Sequence, residues 1–212
     1  MAKINNGYMG AFNGKLGTAI AYQWKGRNCL RAYNPKPRNP RTEKQQNGRL
    51  FFGIVSHLAS VMKSATTIGL RSVAEEQNTL RTNIFVSLNR QCVRIEDNTV
   101  IIDYPSIRIS DGSLAGVEFG PLHKEEPMTV GVDFTSANTY NGSRVDRVYM
   151  FAYSEGIPWV EATFPVARHT GHISKTLPGN WAGREVHFYG FCWSEYSQTA
   201  SPSSYIGSIL MN

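Results

Sequence analysis

The stretch Leu177-Pro-Gly-Asn-Trp-Ala-Gly-Arg-Glu-Val-His-Phe-Tyr-Gly-Phe-Cys-Trp193 decides the fold. A Pro-Gly turn leads into a run in which Val186, Phe188, Gly190 and Cys192 alternate with His187, Tyr189, Phe191 and Trp193. Successive side chains of a strand point to opposite faces, so these two sets occupy the two sides of one strand. Both sets are apolar enough to need cover. The pattern predicts a strand that meets a second sheet on one side and a helix or a neighbouring subunit on the other.

Around this strand, similar runs recur roughly every ten residues with turn residues between them. They are Met128 to Thr135, Val145 to Tyr153, Trp159 to Phe164, His172 to Leu177 and Tyr205 to Met211. The cadence is that of an antiparallel sandwich, and the late strands resemble those of fibronectin type III or immunoglobulin-like domains. Upstream, Val100 to Tyr104 and Ile107 to Ile109 are short β-branched runs punctuated by Asp111-Gly112, which predicts two more strands.

Before Arg94 the period changes. Leu50, Phe51, Ile54, Val55, Leu58 and Met62 follow at helical spacing behind Thr42 and Gln45, which have the form of a capping box. This predicts a helix from about Thr42 to Lys63. Leu80, Ile84, Phe85 and Leu88 predict another, with Asn78 as its N-cap, and the stretch from Thr66 to Gln77 fits either helix or loop.

Closer to the N-terminus, glycines at 7, 10, 14 and 17 disfavour a helix, because each costs about 1 kcal/mol relative to Ala. From Thr18, Ile20, Tyr22 and Trp24 alternate; Lys25-Gly26-Arg27 can turn the chain, and Cys29 to Tyr33 can return as a partner strand. Pro35, Pro37 and Pro40 then enforce an extended connector. The expectation is an α+β chain in three parts. Residues 1–41 form an extended, basic, glycine- and proline-rich arm with a β-hairpin, residues 42–94 a helical segment, and residues 95–212 an antiparallel β-sandwich of immunoglobulin or fibronectin type III kind.

Charge separates along the same lines. Residues 1–49 hold ten Lys/Arg and one carboxylate, Glu43, whereas residues 50–212 hold twelve Lys/Arg against fifteen Asp/Glu. Such a basic segment suits an acidic partner, either nucleic acid or the acidic body of a neighbouring copy. Tyr8, Phe12, Tyr22, Trp24 and Tyr33 are interleaved with Lys15, Lys25, Arg27 and Arg31. Aromatic and cationic side chains in this mixture either stack on a single-stranded nucleic acid or anchor the segment in the groove of a partner protein.

The residues give little support to catalysis. Gly10-Ala-Phe-Asn-Gly14-Lys15-Leu16 is one residue short of a phosphate loop and has Leu where a hydroxyl would hold magnesium. His169 and His172 are three apart with no Cys or carboxylate close in sequence to complete a metal site. There is no Gly-x-Ser-x-Gly elbow, and Glu75-Glu76 and Glu125-Glu126 are adjacent pairs better read as solvated surface. Neither enzymatic activity, nor a cofactor, nor a metal is expected. Three well-separated cysteines, Cys29, Cys92 and Cys192, suggest buried thiols and not a disulfide framework. The opening residues lack the apolar core of a secretory signal and no stretch is long enough to span a bilayer, so the protein is expected to be made in the cytoplasm without membrane contact.

One set of motifs is distinctive: Met1-Ala-Lys-Ile, Gly10-x-Phe12-x-Gly14-Lys-x-Gly17, Trp24-Lys-Gly26, Arg31, Asn39-Pro-Arg-Thr42, Gln45 and Arg49 before Phe51-Phe52. With Ile102-Asp-Tyr104, Ser110-x-Gly-Ser-Leu114 and Tyr205-Ile-Gly-Ser, they resemble an uncharacterised family of about this length from Bacteroidota and their phages. The chain departs from that pattern at Ala11 and Asn13, where the family has Gly and Ser. The resemblance carries no catalytic residues. Its phage members imply a structural subunit of a virion at a neck, tail or capsid-associated position, assembling in many copies as a homo-oligomer and with other virion proteins. Phe12, Tyr22, Trp24, Arg27, Arg31, Arg38 and Arg41 are the expected subunit-interface residues. Two alternatives stand beside this: a nucleic-acid-binding protein using the basic arm, and a carbohydrate- or receptor-binding sandwich presenting Trp159, Trp181 and Trp193.

Overall fold

The computed structural model describes residues 2–4, 13–24, 26–37, 39, 41–96, 99–136 and 142–211. The chain divides into two units, Met1–Gln45 and Gln46–Asn212. In the first, β1 (Ala2–Ile4), β2 (Gly14–Leu16), β3 (Ala19–Trp24) and β4 (Arg27–Ala32) form one antiparallel sheet in the order β1-β4-β3-β2. The β3–β4 hairpin closes with Trp24 opposite Arg27, and Gly26 takes φ 72° in the two-residue turn. Left-handed backbone in such a turn matches the twist of the strands it joins, and glycine adopts it without a Cβ clash.

The second unit opens with α1 (Glu43–Val61, whose first turn straddles the division), α2 (Lys63–Gly69), α3 (Arg71–Glu76) and α4 (Arg81–Leu88). Val55, Leu58, Ala59 and Met62 are buried at helical spacing. Asn78 does not cap α4, which begins after Leu80 with no side-chain cap. It closes α3 instead. Asn78 has φ 45°, its N–H donates to Glu75 O at 3.1 Å, and the Thr79 N–H donates to Ala74 O at 2.9 Å. This is the Schellman arrangement, in which Asn serves at the left-handed position.

The strands follow. A hairpin of β5 (Val93–Glu96) and β6 (Thr99–Ile102) precedes β7 (Glu118–Glu126), β8 (Thr129–Thr135), β9 (Arg147–Tyr153), β10 (Glu161–Ala162), β11 (Val166–Ala167), β12 (His172–Thr176), β13 (Glu185–Ser194), β14 (Thr199–Ala200) and β15 (Ser204–Leu210). β12-β8-β7 make a three-stranded antiparallel sheet. β10-β9-β13-β14 make a second, to which β11 adds on β9 and β15 on β13. The chain is therefore α+β with antiparallel sheets.

The expected strand at Ile107 to Ile109 is absent, although both isoleucines are buried. Side chains replace the ladder there. Asn89, itself 1% exposed, accepts from the Arg108 N–H at 2.7 Å and donates to Arg108 O at 2.8 Å, while Ser203 Oγ accepts from the Ile109 N–H at 3.0 Å. With its backbone groups satisfied in this way, the segment has no need of a neighbouring strand. Conversely, the polarity of Gly-Pro-Leu-His-Lys-Glu-Glu conceals β7, an edge strand of its sheet where Pro121 costs no ladder bond.

Two cores share one backbone. Val186, Phe188 and Cys192 of β13 join Val148, Met150 and Ala152 of β9 and Val130, Val132, Phe134 and Ile173 of the three-stranded sheet in one cluster. From the other side of the same strands, Tyr189, Phe191 and Trp193 join Phe151 and Tyr153 in a cluster with Val55, Leu58, Met62, Leu70 and Phe85 of the helical segment. The sheet is thus covered by strands on one side and helices on the other. Alanine at Phe188 and at Phe191 should each lower the free energy of unfolding in urea by about 3–5 kcal/mol, the cost of emptying a packed site. A small effect at either position would mean that one face of β13 is uncovered.

His187 lies on the helical side, 8% exposed, stacked on Tyr104 with ring centroids 4.2 Å apart and with Nδ1 3.0 Å from Tyr205 Oη. Burial pulls its pKa below the ordinary 6.5, against the opposing pull of Glu185 and Glu155. The folded state therefore holds the neutral ring more firmly than the unfolded chain does. Its contribution to stability is complete above about pH 6.5 and is lost as pH falls towards the lower folded value. The urea midpoint of His187→Asn should fall less between pH 7.5 and pH 5 than that of the parent protein.

Candidate functional site

The register of the N-terminal sheet brings together what the sequence spreads over nineteen positions. Residues directly opposite each other on antiparallel strands share a face. Ile20 lies opposite Arg31, Tyr22 opposite Cys29 and Trp24 opposite Arg27, so these six side chains occupy one side of the β3–β4 hairpin. Lys15 joins them through its pairing with Ile20 on β2. Tyr33 continues the alternation from Arg31, with its N–H bonded to Thr18 O at 2.8 Å, and Lys15 Nζ lies 3.8 Å above its ring centroid. This is a cation–π contact of the kind worth about 0.5–1 kcal/mol at an exposed site.

The opposite side carries Ala19, Ala21, Leu30 and Ala32 in register, Leu16 beside Ala19, and the polar pair Gln23 and Asn28 next to the turn. Ala21 is buried there, as Cys29 is on the aromatic side. The two faces therefore differ in kind. Among the described side chains, one carries Lys15, Arg27 and Arg31 with three aromatic rings, Trp24 54% and Tyr33 39% exposed; the other is mainly aliphatic, with Gln23 and Asn28 paired beside the turn. The sequence has no Asp or Glu before Glu43, so no carboxylate of these strands neutralises the cationic side.

Of the expected interface residues, Tyr22, Trp24, Arg27 and Arg31 come together on this face. Arg41 stands apart, exposed in the connector ahead of α1. Phe12 and Arg38 lie outside the described residues. Lys15 and Tyr33 extend the face beyond those seven positions. Tyr33 was within reach of the two-residue period of β4, whereas Lys15 depends on a strand pairing that no local pattern reveals.

The other candidate groups are dispersed. Trp181 and Trp193 are core residues at 0% and 6% exposure, while Trp159 is 45% exposed with Nε1 donating to Glu161 Oε1 at 3.1 Å. His169 turns to Arg144 O at 3.0 Å and does not share a partner with His172. Cys29, Cys92 and Cys192 are free and buried, and burial raises the pKa of Cys92 and Cys192 above the ordinary thiol value, which disfavours the reactive thiolate. A cleft of about 830 Å³ lined by Ser113, Asp146, Arg147, Ser194, Glu195 and Tyr196 has no histidine among its described lining residues to activate the serines.

A cationic and aromatic sheet face is suited to holding a broad, negatively charged surface: guanidinium groups pair with carboxylates or phosphates, and rings add contact area. Replacing Arg27 and Arg31 together by Glu should weaken retention on a sulfated-polysaccharide resin, so that the protein elutes at clearly lower salt. The double variant Lys63→Glu, Arg90→Glu carries the same change of net charge in the second unit and should elute later than the hairpin variant. Equal elution of the two would show that net charge, and not this face, governs retention.

Among curated proteins, none matches the sequence. The profile of a family of unknown function, DUF6266, matches residues 11–207, from just before β2 into β15. The chain belongs to that family.

Proposed function

We propose that the protein is a non-catalytic structural subunit of a phage virion, at a neck, tail or capsid-associated position, which assembles in many copies through its basic N-terminal segment. The observation that carries the reading is the gathering of Tyr22, Trp24, Arg27 and Arg31, with Lys15 and Tyr33, on one face of the N-terminal sheet. Residues Met1–Gln45 hold nine Lys/Arg and one Glu, whereas Gln46–Asn212 holds thirteen Lys/Arg against fifteen Asp/Glu. One copy therefore supplies both a cationic face and an acidic body, the complementarity that a self-assembling chain needs. The virion setting and an origin in Bacteroidota or their phages are supported by the likeness of the N-terminal motifs to phage-borne chains.

In this reading the N-terminal segment is an arm that reaches a neighbouring copy, and the body is a fibronectin type III-like sandwich. The strand order favours that assignment: β7-β8-β12 in one sheet and β10-β9-β13-β15 in the other follow the three-plus-four arrangement of such domains. A rigid body of this kind is suited to repetition around a symmetry axis.

A second reading, binding of nucleic acid, is favoured by the alternation of rings and guanidinium groups on the same face, which also suits stacked bases over a phosphate backbone. Light scattering of the full chain at low and high salt, with and without DNA, separates the two. A ring-sized oligomer that forms without DNA, and is lost in Arg27→Glu/Arg31→Glu, is the expected result. A monomer that gains mass only with DNA, and releases it steeply as salt rises, would replace the virion reading with the second.

A further inference from the structure

The outer face of the three-stranded sheet carries a cluster that the N-terminal face does not involve. The inner side chains of β8 are Val130, Val132 and Phe134, all in the core, so Gly131 and Asp133 face outward. His123 of β7 pairs with Gly131, and His172 of β12 pairs with Asp133. Glu125 is the extra residue where the β7–β8 register shifts between Lys124 and Glu126, and its carboxylate lies on the same side as His123. His172 Nε2 is 2.9 Å and His123 Nε2 3.6 Å from Glu125 Oε1, and one ligand atom from each of the three residues lies within 4.8 Å of the others.

From this arrangement we infer a site for a divalent transition-metal ion, of which zinc is the representative, with His123, Glu125 and His172 as ligands and solvent completing the shell. Two imidazoles and one carboxylate are a donor set that such ions accept. Bonds of about 2.0–2.1 Å at tetrahedral angles place ligand atoms about 3.3 Å apart; the two histidine–Glu125 separations, 2.9 and 3.6 Å, bracket that value, and the donors of the two histidines lie within 4.8 Å of each other. The half-exposed side chains need only small rotations to converge.

Two further features fit a ligand set better than a chance surface grouping. His172 Nδ1 is 2.8 Å from Asp133 Oδ1, the carboxylate–histidine pairing that fixes the ring and its tautomer behind a metal. With Nδ1–H directed to Asp133, Nε2 faces Glu125, where a cation can take the place of a second proton. In addition, the site closes over bare backbone: a Cβ at position 131 would meet the end of the Glu125 side chain and lie 3.0 Å from His123 Nε2, so the two donors occupy the space that the missing side chain leaves. A bound ion would tie β7 to β12 across β8, joining the two edge strands of the sheet.

The test uses the full chain, freed of metal by chelation and titrated with zinc chloride alone. One equivalent should bind, and the melting temperature should rise with zinc concentration, as for any ligand of the native state; magnesium chloride should do neither. Affinity should fall at least about tenfold in His172→Ala and His123→Ala, and about 10–100-fold in Asp133→Asn, which alters only the outer partner. His169→Ala should bind as the parent does. Failure of the parent to take up one equivalent, or unchanged affinity in His172→Ala, would overturn the assignment. If the alanine variants do not fold, the cobalt(II) spectrum of the parent decides: d–d bands without a thiolate charge-transfer band support the site, and a thiolate band moves the ion to a cysteine and overturns it.

Discussion

Everything in the second unit depends on β13 being buried on both faces while it is hydrogen-bonded along both edges. Its residues from Val186 to Ser194 are all buried, with β9 on one edge and β15 on the other. In a strand of this kind the two-residue period no longer separates inside from outside; it separates one core from another. β9 repeats the device, sending Val148, Met150 and Ala152 to the inter-sheet core and Phe151 and Tyr153 to the helical core. Aromatic rings dominate the helical side, where Phe151, Phe191 and Tyr149 stack at 5.5–6.1 Å between centroids. On the inter-sheet side the chain makes room by deletion: at Gly190 a Cβ would meet the Phe119 ring. The layers are therefore coupled, because a shift of β13 to relieve one core disturbs the other.

Polar side chains inside this body do the work of missing secondary structure. Asn89 takes both backbone groups of Arg108, as a neighbouring strand would. Ser110 Oγ donates to Ser201 O at 2.7 Å, and Ser201 Oγ accepts from the Cys192 N–H at 2.9 Å. Tyr189 Oη, on the helical side of β13, donates to Tyr104 O at 2.8 Å; its phenol is held neutral by burial, which raises its pKa. These bonds tie the irregular stretch from Arg108 to Ser110, and Tyr104 before it, to the end of α4, to the segment after β14 and to β13. A buried polar group left without its partner costs about 1–3 kcal/mol. These serines and Asn89 consequently tolerate little change.

What could be read in the sequence was what is periodic. The double-sided alternation from Val186 to Trp193 pointed to cover on both faces, and the spacing of Val55, Leu58 and Met62 placed α1 almost to the residue. Local chemistry that admits two meanings was harder: Asn78 can begin a helix or end one, and Thr79 N–H reaching Ala74 O settles it in favour of ending. Ile107-Arg-Ile109 has the composition of a strand, yet its hydrogen-bond partners come from Asn89 and Ser203, 19 and 94 positions away. The cationic face was legible in part, since Tyr22 and Trp24 share a strand period and their guanidinium neighbours lie across one turn. The His123, Glu125 and His172 cluster was not legible, because His172 looked to His169 in sequence while its partners lie on strands folded back from far upstream.

The two outward sites follow one rule of sheet construction. In both, antiparallel register places side chains from different strands about 5 Å apart on one face, so a sheet converts sequence distance into a flat, fixed array. On the N-terminal sheet the array is wide, with Lys15, Arg27 and Arg31 among its described side chains and no carboxylate in its strands, a charge pattern that suits a broad acidic surface. On the three-stranded sheet the array is narrow and mixed. Two imidazoles and two carboxylates crowd over Gly131, so that the charges must be balanced within a few ångströms and a single small cation is the fitting occupant. The difference lies within each array: on the first, every position opposite a cation or ring carries a side chain of its own, whereas the absent side chain at Gly131 leaves space in which the ends of Glu125 and His123 meet.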